Sequence, residues 1–504
     1  MKKVPLRIQI SLLLCTALGG CMVGPKYHAP ENTVSNEWEG LKTEAPFISE
    51  EAPLTAWWKV FADPLLEKYI ELAAAYNKDI QVAEANILLA RALRKMAASS
   101  LFPQINADVN ATKTYFSKNG PVFAIGPATG NTADTTSTVT GLPFSLQVPQ
   151  IQNLYNVLFD STWEIDLFGK NRHSVEAADA TIGSAIEHRN DVLISVLAEI
   201  AKNYMEVRSL QQSAMLVEEN IQLLEETADI IEQSMQSGLA NQLNYEEVHV
   251  ELSTARSELP DLIAQVYRGI YSLSILTGSV PEALMEEVLP FQPLPDIPDQ
   301  IAVGLRSDLL RRRPDVRQAE RELASATANV GVATASFYPT ITLFGEGGLQ
   351  SLNIKNLFTA RSKTWALGGD MAIPVFQGGN LVGNLKAMEA SASVVAYTYQ
   401  QTVLHALQEA ESTLKSYEQD LAKSFQLTDA AARNYILFLL TDERNQRGLV
   451  SLLDVIASQR KLIASEKLLL DSDTTALLDL VALYKALGGG WEPQANDECH
   501  SRVR

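Results

Sequence analysis

The chain of 504 residues carries one structural plan twice. Residues 79–103 align without a gap on residues 315–339, with every position shifted by 236. Farther along, residues 238–244 align on 448–454 and residues 276–278 on 486–488, now with a shift of 210. The shift falls by 26 positions, which indicates an insertion in the first copy, within the Gly-, Thr-, Ser-, Asn- and Pro-rich segment 116–156. Two tandem repeats are therefore predicted.

Each copy contains one long segment that is almost free of helix breakers. Residues 171–237 and 380–447 contain no Pro and a single Gly each, Gly183 and Gly383. A helix of this size is roughly 100 Å long. Its apolar residues recur at alternating spacings of four and three, which predicts a coiled-coil seam. The seam residues are Leu193, Leu197, Ile200, Tyr204 and Val207 in the first copy and Val403, Leu407, Ala410, Leu414 and Tyr417 in the second.

Four segments of about ten residues alternate between apolar and polar side chains, at about 104–115, 156–168, 340–349 and 364–375. This period predicts strands with one face toward an apolar environment and the other toward water. Four aromatic residues are candidates for the girdles at membrane interfaces: Tyr115, Phe159, Trp163 and Trp365. Because open strand edges are unstable in lipid, several protomers are expected to contribute strands to one barrel.

The N-terminus has the three parts of a secretory signal: Lys2, Lys3 and Arg7, an apolar stretch from 8 to 18, and Leu-Gly-Gly before Cys21. A Cys in this position resembles the bacterial lipobox, so residues 1–20 are predicted to be removed and Cys21 to be acylated, for example with palmitate. Cys499 then keeps the only thiol. Loss of the three basic residues changes the formal charge from -19 to -22, which argues against nucleic acid as a partner.

Several ordered motifs carry a family resemblance: Cys21-Met-Val-Gly-Pro-Lys-Tyr27, Arg312-Arg-Pro-Asp-Val-Arg-Gln-Ala-Glu320, Phe337-Tyr-Pro339 and Tyr484-Lys-Ala-Leu-Gly-Gly-Gly-Trp491. Together with Gly238-Leu239 and Gly448-Leu449, they resemble the TolC-like outer-membrane efflux factors, in the lipoprotein branch that serves resistance-nodulation-division pumps. The resemblance implies a mixed α and β membrane protein with four transmembrane strands and long coiled-coil helices per protomer. Three protomers would form a trimeric 12-stranded β-barrel on a periplasmic α-helical barrel.

The resemblance also implies how the chain is divided. A signal peptide (1–20) precedes a lipidated N-terminus and equatorial segment (21–64). The first repeat (65–278) would contain helices at about 65–102 and 171–277, and the second (304–488) helices at about 304–337 and 380–487. A linker with a second equatorial segment (279–303) joins the repeats, and a tail (489–504) follows.

By the same resemblance, the chain would be a passive exit duct in the outer membrane, anchored by lipid and with a large periplasmic part. Its partners would be two further copies, a periplasmic adaptor and an inner-membrane transporter. Asp454 and its counterpart Asn244 would line the periplasmic aperture, although Ala457 stands where relatives often carry a further aspartate. Gly238-Leu239 and Gly448-Leu449 would contact the adaptor.

Other functional classes account for less of the sequence. An enzyme is not expected, because no nucleophile elbow or phosphate loop occurs and the six histidines lack ligand spacing, so no catalytic residues, cofactors or metals are predicted. A non-pore coiled-coil lipoprotein would leave the four alternating strands without a purpose. A duct for type I protein secretion stays open as the alternative to small-molecule efflux.

Overall fold

The computed structural model describes residues 22–30, 38, 47–48, 54–117, 119, 149–238, 241–298, 301–304 and 306–491. The predicted signal peptide, Cys21, Leu239 and Cys499 lie outside these residues. The chain divides into two compact units. The first contains the described residues within 1–27, 92–179 and 325–392, and the second contains those within 28–91, 180–324 and 393–504.

Three pairs of helices at corresponding places in the two repeats have equal lengths. The α-helices are α1 (Pro64–Tyr76), α2 (Lys78–Ser99), α3 (Lys170–Gln236), α4 (Gln242–Leu276), α5 (Met285–Val288), α6 (Arg306–Arg312), α7 (Pro314–Ala335), α8 (Asn380–Gln446) and α9 (Leu452–Ala486). Helices α2 and α7 have 22 residues each, α3 and α8 have 67, and α4 and α9 have 35. This equality supports the duplication, because an insertion would have altered one member of a pair. Short 3-10 helices occur at Leu54–Phe61, Ile354–Asn356 and Ala360–Ser362.

The strands of the described residues form two sheets. A small one pairs β1 (Phe47–Ile48) in parallel with β4 (Ile301–Ala302). The larger sheet has the antiparallel order β2 (Gln104–Tyr115), β3 (Ile151–Ile165), β5 (Thr340–Ser351) and β6 (Lys363–Ala372). Strand β3 begins five residues before the predicted range, inside the segment predicted as a loop, because residues 151–155 pair with 111–115 of β2.

The helices predicted at 65–102 and 304–337 are each interrupted. The first break is at the buried Asn77, whose Oδ1 accepts from the backbone N–H groups of Asp79 (2.8 Å) and Ile80 (3.2 Å). Its Nδ2 donates to the Leu276 carbonyl at 2.8 Å. The second break comes before Pro314, which starts α7 because its fixed φ suits the first position of a helix and it lacks an N–H to donate to the preceding turn. Helices α2 and α7 thus begin within one residue of Asp79 and Asp315, the first positions of the aligned segments in the two repeats.

The core lies where the middle of α3 meets helices from both repeats. Nine of the ten predicted seam residues are buried and Leu407 is half-buried, so the seam is confirmed. One continuous apolar cluster joins the first seam, and the second seam from Ala410 on, to Ile270 and Leu273 of α4 and to Leu477 and Tyr484 of α9. Val403, at the start of the second seam, lies in a separate cluster. Trp57 stacks on Tyr484, with ring centroids 5.3 Å apart. The two repeats therefore share one core in the second unit.

A buried arginine holds the linker that follows α5 against α3. Arg208 Nη1 donates to the carbonyls of Val288 (3.0 Å) and Pro290 (3.1 Å), and Nη2 donates to Gln292 Oε1 at 3.1 Å. The guanidinium also lies 4.9 Å from the centre of the Tyr204 ring. Position 418, the counterpart of 208 in the second repeat, is Glu, so this attachment belongs to the first repeat alone.

Four helix ends carry a glycine with positive φ, at corresponding places in the two repeats. The φ values are +75° at Gly238 and +74° at Gly448, and +77° at Gly278 and +72° at Gly488. This left-handed conformation costs an L-residue about 1–2 kcal/mol, so glycine suits all four positions. The surroundings differ, however. A Cβ on Gly278 would lie 2.3 Å from the Tyr76 carbonyl oxygen, whereas one on Gly238 would have no described residue within 4 Å apart from its own chain neighbours.

These two glycines provide a matched pair of substitutions. We expect Gly238→Ala to lower the free energy of unfolding by about 1 kcal/mol, the cost of the backbone conformation alone. Gly278→Ala adds a clash with main chain that cannot move aside, so we expect a loss of about 3 kcal/mol or more. Thermal and denaturant unfolding of the detergent-solubilised full chain measures both. Equal losses in the two variants would contradict the close approach of Gly278 to Tyr76.

Asp479 of α9 is placed where its charge is costly. Burial, reinforced by the carboxyl of Asp420 on α8, raises the pKa of Asp479 from 3.8 to about 6. Between these two pH values the folded chain binds more protons than the unfolded chain. This difference in proton binding therefore makes the free energy of unfolding fall as pH rises through the window, with the full penalty reached above about pH 6.

Asp479→Asn replaces the carboxyl by a group that never ionises. We expect it to raise the unfolding temperature at pH 7.5, with a much smaller gain at pH 4.5, where most of the penalty has already disappeared. Asp471→Asn, on the exposed surface of the same helix, is the control for removing one negative charge. A gain from Asp479→Asn that is the same at both pH values, or no larger than the control's, would contradict the raised pKa.

Candidate functional site

The large sheet has one apolar and one polar face. Residues directly opposite in an antiparallel pair share a face, so the strand registers assign each side chain to one side. The first face carries Ile105, Val109, Tyr115, Val157, Phe159, Trp163, Ile165, Ile341, Leu343, Leu349, Trp365, Leu367 and Met371. The second carries Asn106, Asp108, Asn110, Asp160, Glu164, Thr342, Glu346, Gln350 and Asp370, together with Leu154, Leu158 and Phe344. The alternation predicted from the sequence is confirmed.

Charge is also divided between the faces. The polar face carries the five carboxylates of the sheet: Asp108, Asp160, Glu164, Glu346 and Asp370. The two lysines of these strands lie on the apolar face, since Lys113 is opposite Asn153 and Lys363 is opposite Leu349. The polar face therefore has acidic groups and no basic ones within its four strands.

The apolar face is not covered by other described parts of the chain. Val109 is 79% exposed, Trp365 74% and Leu367 78%. An exposed apolar surface of this extent indicates contact with lipid or with another protein. Of the predicted girdle residues, Tyr115, Phe159 and Trp365 are exposed. Trp163 is half-buried and donates its indole N–H to the Leu101 carbonyl at 3.0 Å, so it also holds the end of the sheet.

The two outer strands of this sheet have free edges in the part of the chain that the structure describes. Strand β2 pairs with β3 on one side, and β6 pairs with β5 on one side. A free edge presents a row of unpaired backbone donors and acceptors to the surroundings. All twelve residues of β2 are exposed.

The predicted Gly-Leu turns lie between the long and short helices. In the second repeat the N–H of Gly448 donates to the Asn445 carbonyl (2.7 Å) and that of Leu449 to the Arg444 carbonyl (2.9 Å), which is a Schellman cap. The Leu449 side chain is 65% exposed. In the first repeat the N–H of Gly238 donates to the Met235 carbonyl in the same way, at 3.0 Å.

Asp454 is the third residue of α9 and completes a capping box there. Its Oδ2 accepts from the Ser451 hydroxyl (2.7 Å) and the Ser451 N–H (2.9 Å). These hydrogen bonds hold the pKa of Asp454 below its ordinary value. Its counterpart Asn244 donates its backbone N–H to the Asn241 side chain at 2.9 Å. Of the two predicted aperture residues, Asp454 is exposed and Asn244 half-buried, and both take part in helix starts.

Behind these turns, α4 of the first repeat packs on α9 of the second. Val248 and Ile456 lie in one apolar cluster with Ala228 and Ile231 of α3. Two ion pairs follow along the same helices, Glu251 with Arg460 at 3.1 Å and Glu258 with Lys467 at 3.3 Å. Their spacing of seven residues in both helices is visible in the sequence, but the sequence does not show that these two helices meet.

None of the helices in the described ranges is both long and apolar enough to cross a membrane. Over the same ranges, no three His, Cys, Asp or Glu residues are grouped so as to hold a metal ion.

Curated relatives match the chain over almost its full length. The antibiotic efflux pump outer membrane protein ArpC of Pseudomonas putida is 29% identical over 486 residues, which cover 95% of this chain and 94% of that protein. The pyoverdine export outer membrane protein OpmQ of Pseudomonas aeruginosa is 27% identical over 481 residues, covering 95% and 96%.

Solved structures share the fold. The outer-membrane channel OprN superposes with a TM-score of 0.83 at 27% identity, over 94% of this chain and 100% of that one. The CmeC outer membrane channel of Campylobacter jejuni superposes with a TM-score of 0.82 at 21% identity, over 93% and 95%. At 21% identity, the similarity to CmeC shows a shared fold and nothing more. The architecture is thus the TolC-like one that the sequence resemblance implied.

The family description "Outer membrane efflux protein" matches residues 69–279 and 305–489, which are nearly the whole of the two repeats. The matched ranges include the four strands of the large sheet and the two Gly-Leu turns. The chain belongs to the outer membrane efflux protein family.

Proposed function

We propose that the chain is the outer-membrane component of a tripartite efflux pump, a passive exit duct for drugs or other small molecules. A periplasmic adaptor and an inner-membrane resistance-nodulation-division transporter would deliver these molecules. Family membership supports this proposal, as do the names of relatives, which include pumps for antibiotics and toluene. The observation that carries it is the two-faced sheet, which suits a wall between lipid and water.

The free edges of this sheet support a homotrimer. In lipid, unpaired N–H and C=O groups of β2 and β6 would cost several kcal/mol each. Pairing β2 of one copy with β6 of the next satisfies both edges, and three copies would close twelve strands into a barrel. The apolar faces would then meet lipid and the polar faces would line the duct. Because the polar face is acidic, the duct favours cations over anions.

Cys21 is proposed to carry acyl chains that anchor the mature N-terminus in the outer membrane. The exposed Leu449 and the left-handed glycines of the two turns suit an adaptor contact, because they present apolar surface beside rigid main chain. Asp454 and Asn244 are proposed to face the periplasmic aperture. Closure of this aperture would depend more on packing around Ile456 than on the single ring of Asp454 carboxylates.

Conductance in planar bilayers tests the duct. We expect the purified full chain to form pores that prefer K⁺ over Cl⁻, and Asp160→Asn with Glu346→Gln to lower the K⁺/Cl⁻ permeability ratio, since both carboxylates lie on the polar face. The control is Lys363→Gln, which removes a formal charge from the apolar face instead and should leave the ratio unchanged. Absence of any conductance from inserted protein would refute the channel.

Two variants separate charge from helix capping at the aperture. Asp454→Ala removes the carboxylate and the capping box, whereas Ser451→Ala disrupts the same box but keeps the carboxylate, and either loss costs about 1 kcal/mol of local stability. We expect both variants to keep block of the pore by multivalent cations within about twofold of the original chain, a factor worth only about 0.4 kcal/mol. If Asp454→Ala alone abolishes the block, the carboxylate ring is the gate and packing is secondary.

A further inference from the structure

The segment that follows Cys21 is bound to the junction between β3 and α3. The N–H of Val23 donates to the Phe168 carbonyl at 3.1 Å. The Val23 carbonyl faces Nε2 of His173 at 2.9 Å. Both backbone groups of Val23 are therefore held by the turn and by the first turn of α3.

His173 is buried, with 3% of its side chain exposed, and both of its ring nitrogens face acceptors. Nε2 faces the Val23 carbonyl, and Nδ1 lies 3.0 Å from Glu176 Oε2. A carbonyl oxygen can only accept, so Nε2 is the donor in the contact with Val23, and the Glu176 carboxyl lies beside the other ring nitrogen.

Glycines make room for this arrangement. A Cβ on Gly331 of α7 would lie 2.7 Å from the His173 ring, and a Cβ on Gly24 would lie 2.8 Å from the Gly331 Cα. Gly24 also has a φ of +124°, and Gly169 in the turn has a φ of +88° with Met22 against it. The absence of side chains at Gly24, Gly169 and Gly331 thus leaves room for residues 22–24 and for the His173 ring.

The second repeat makes the same junction with the glycine equivalent to Gly169, Gly379, at the same φ of +88°, but without the histidine. Position 383, the counterpart of His173, is a glycine, and a Cβ added to it would meet nothing within 4 Å among the described residues. In the first repeat Asp166 Oδ2 accepts from the N–H of Arg172 at 2.8 Å, but positions 376 and 382 are Phe and Val. A strand-to-helix junction therefore forms without the histidine. The presence of His173 in the first repeat alone indicates a role in binding the N-terminal segment.

We propose that His173 is a positioning residue for the acylated N-terminus. It holds the Val23 carbonyl at the junction of β3 and α3, and because two residues span at most about 7 Å, acyl chains proposed on Cys21 stay attached near that junction. The lipid then enters the bilayer beside the sheet that crosses it. The inference rests on the proposed lipidation and outer-membrane function.

Hydrogen exchange tests whether the histidine holds the segment. In the detergent-solubilised full chain, His173→Ala and Gly331→Ala should each accelerate exchange in the peptide 22–28 by about tenfold or more, because each removes or displaces the ring that holds the Val23 carbonyl. Gly383→Ala is the matched control, a helical Gly→Ala change in open space, and should leave this peptide unchanged. Unchanged exchange in His173→Ala would overturn the proposal.

A double-mutant cycle tests positioning of the lipid against local packing. The readout is the amount of SDS-resistant oligomer in the outer-membrane fraction, compared for His173→Ala in the acylated chain and in Cys21→Ser with a cleavable signal. We expect His173→Ala to reduce oligomer severalfold only when Cys21 is acylated. A reduction of the same size in both backgrounds, or in neither, would show a packing role and overturn the proposal.

Mass spectrometry of the N-terminal peptide completes the test. An unmodified Cys21 would overturn the inference, because His173 would then have no lipid to position. That result leaves the bilayer conductance untouched, so failure of the lipid proposal is distinguishable from failure of the channel. If Cys21→Ser yields no oligomer, the chain cannot assemble without lipid, and the exchange measurement then decides whether His173 holds the segment.

Discussion

The structure depends on burial of one apolar stripe along each 67-residue helix. A single helix of that length cannot bury its own side chains, so it is stable only against neighbours that present a matching stripe. In this chain the stripes of α3 and α8 lie at corresponding positions of the repeats and enter one cluster with α4 and α9. Attachments to this core differ between repeats, because Arg208 holds the linker in the first and Glu418 occupies its place in the second.

The sheet is subject to a different constraint, the pairing of backbone groups. Its four strands satisfy one another but leave β2 and β6 with a free edge each within the described residues. The registers also place apolar and acidic side chains on opposite faces. A membrane protein can satisfy both conditions only by adding strands from other copies, which is why the sheet, more than the helices, supports a duct.

Comparison of corresponding positions separates residues that both repeats need to fold from residues that have a role in one repeat only. Gly238 and Gly278 of the first repeat correspond to Gly448 and Gly488 of the second, and each ends a helix with a positive φ. His173, Gly331 and Gly24 have no such equivalents, and they meet where the N-terminus is bound. Duplication supplies an internal control for these assignments, since the copy without a residue shows what the fold can form in its absence.

The sequence by itself determined the duplication, the long helices with their seams, the two-faced strands and the glycines at the turns. These features are local or periodic, and periodicity is a property of the chain before it folds. Tertiary structure decided the break at Asn77, because the amide that ends α1 is held by the Leu276 carbonyl far along the chain. It also decided the early start of β3, which follows from pairing with β2, and the meeting of α4 with α9. The bond between His173 and Val23 joins residues 150 positions apart, so no local pattern could reveal it.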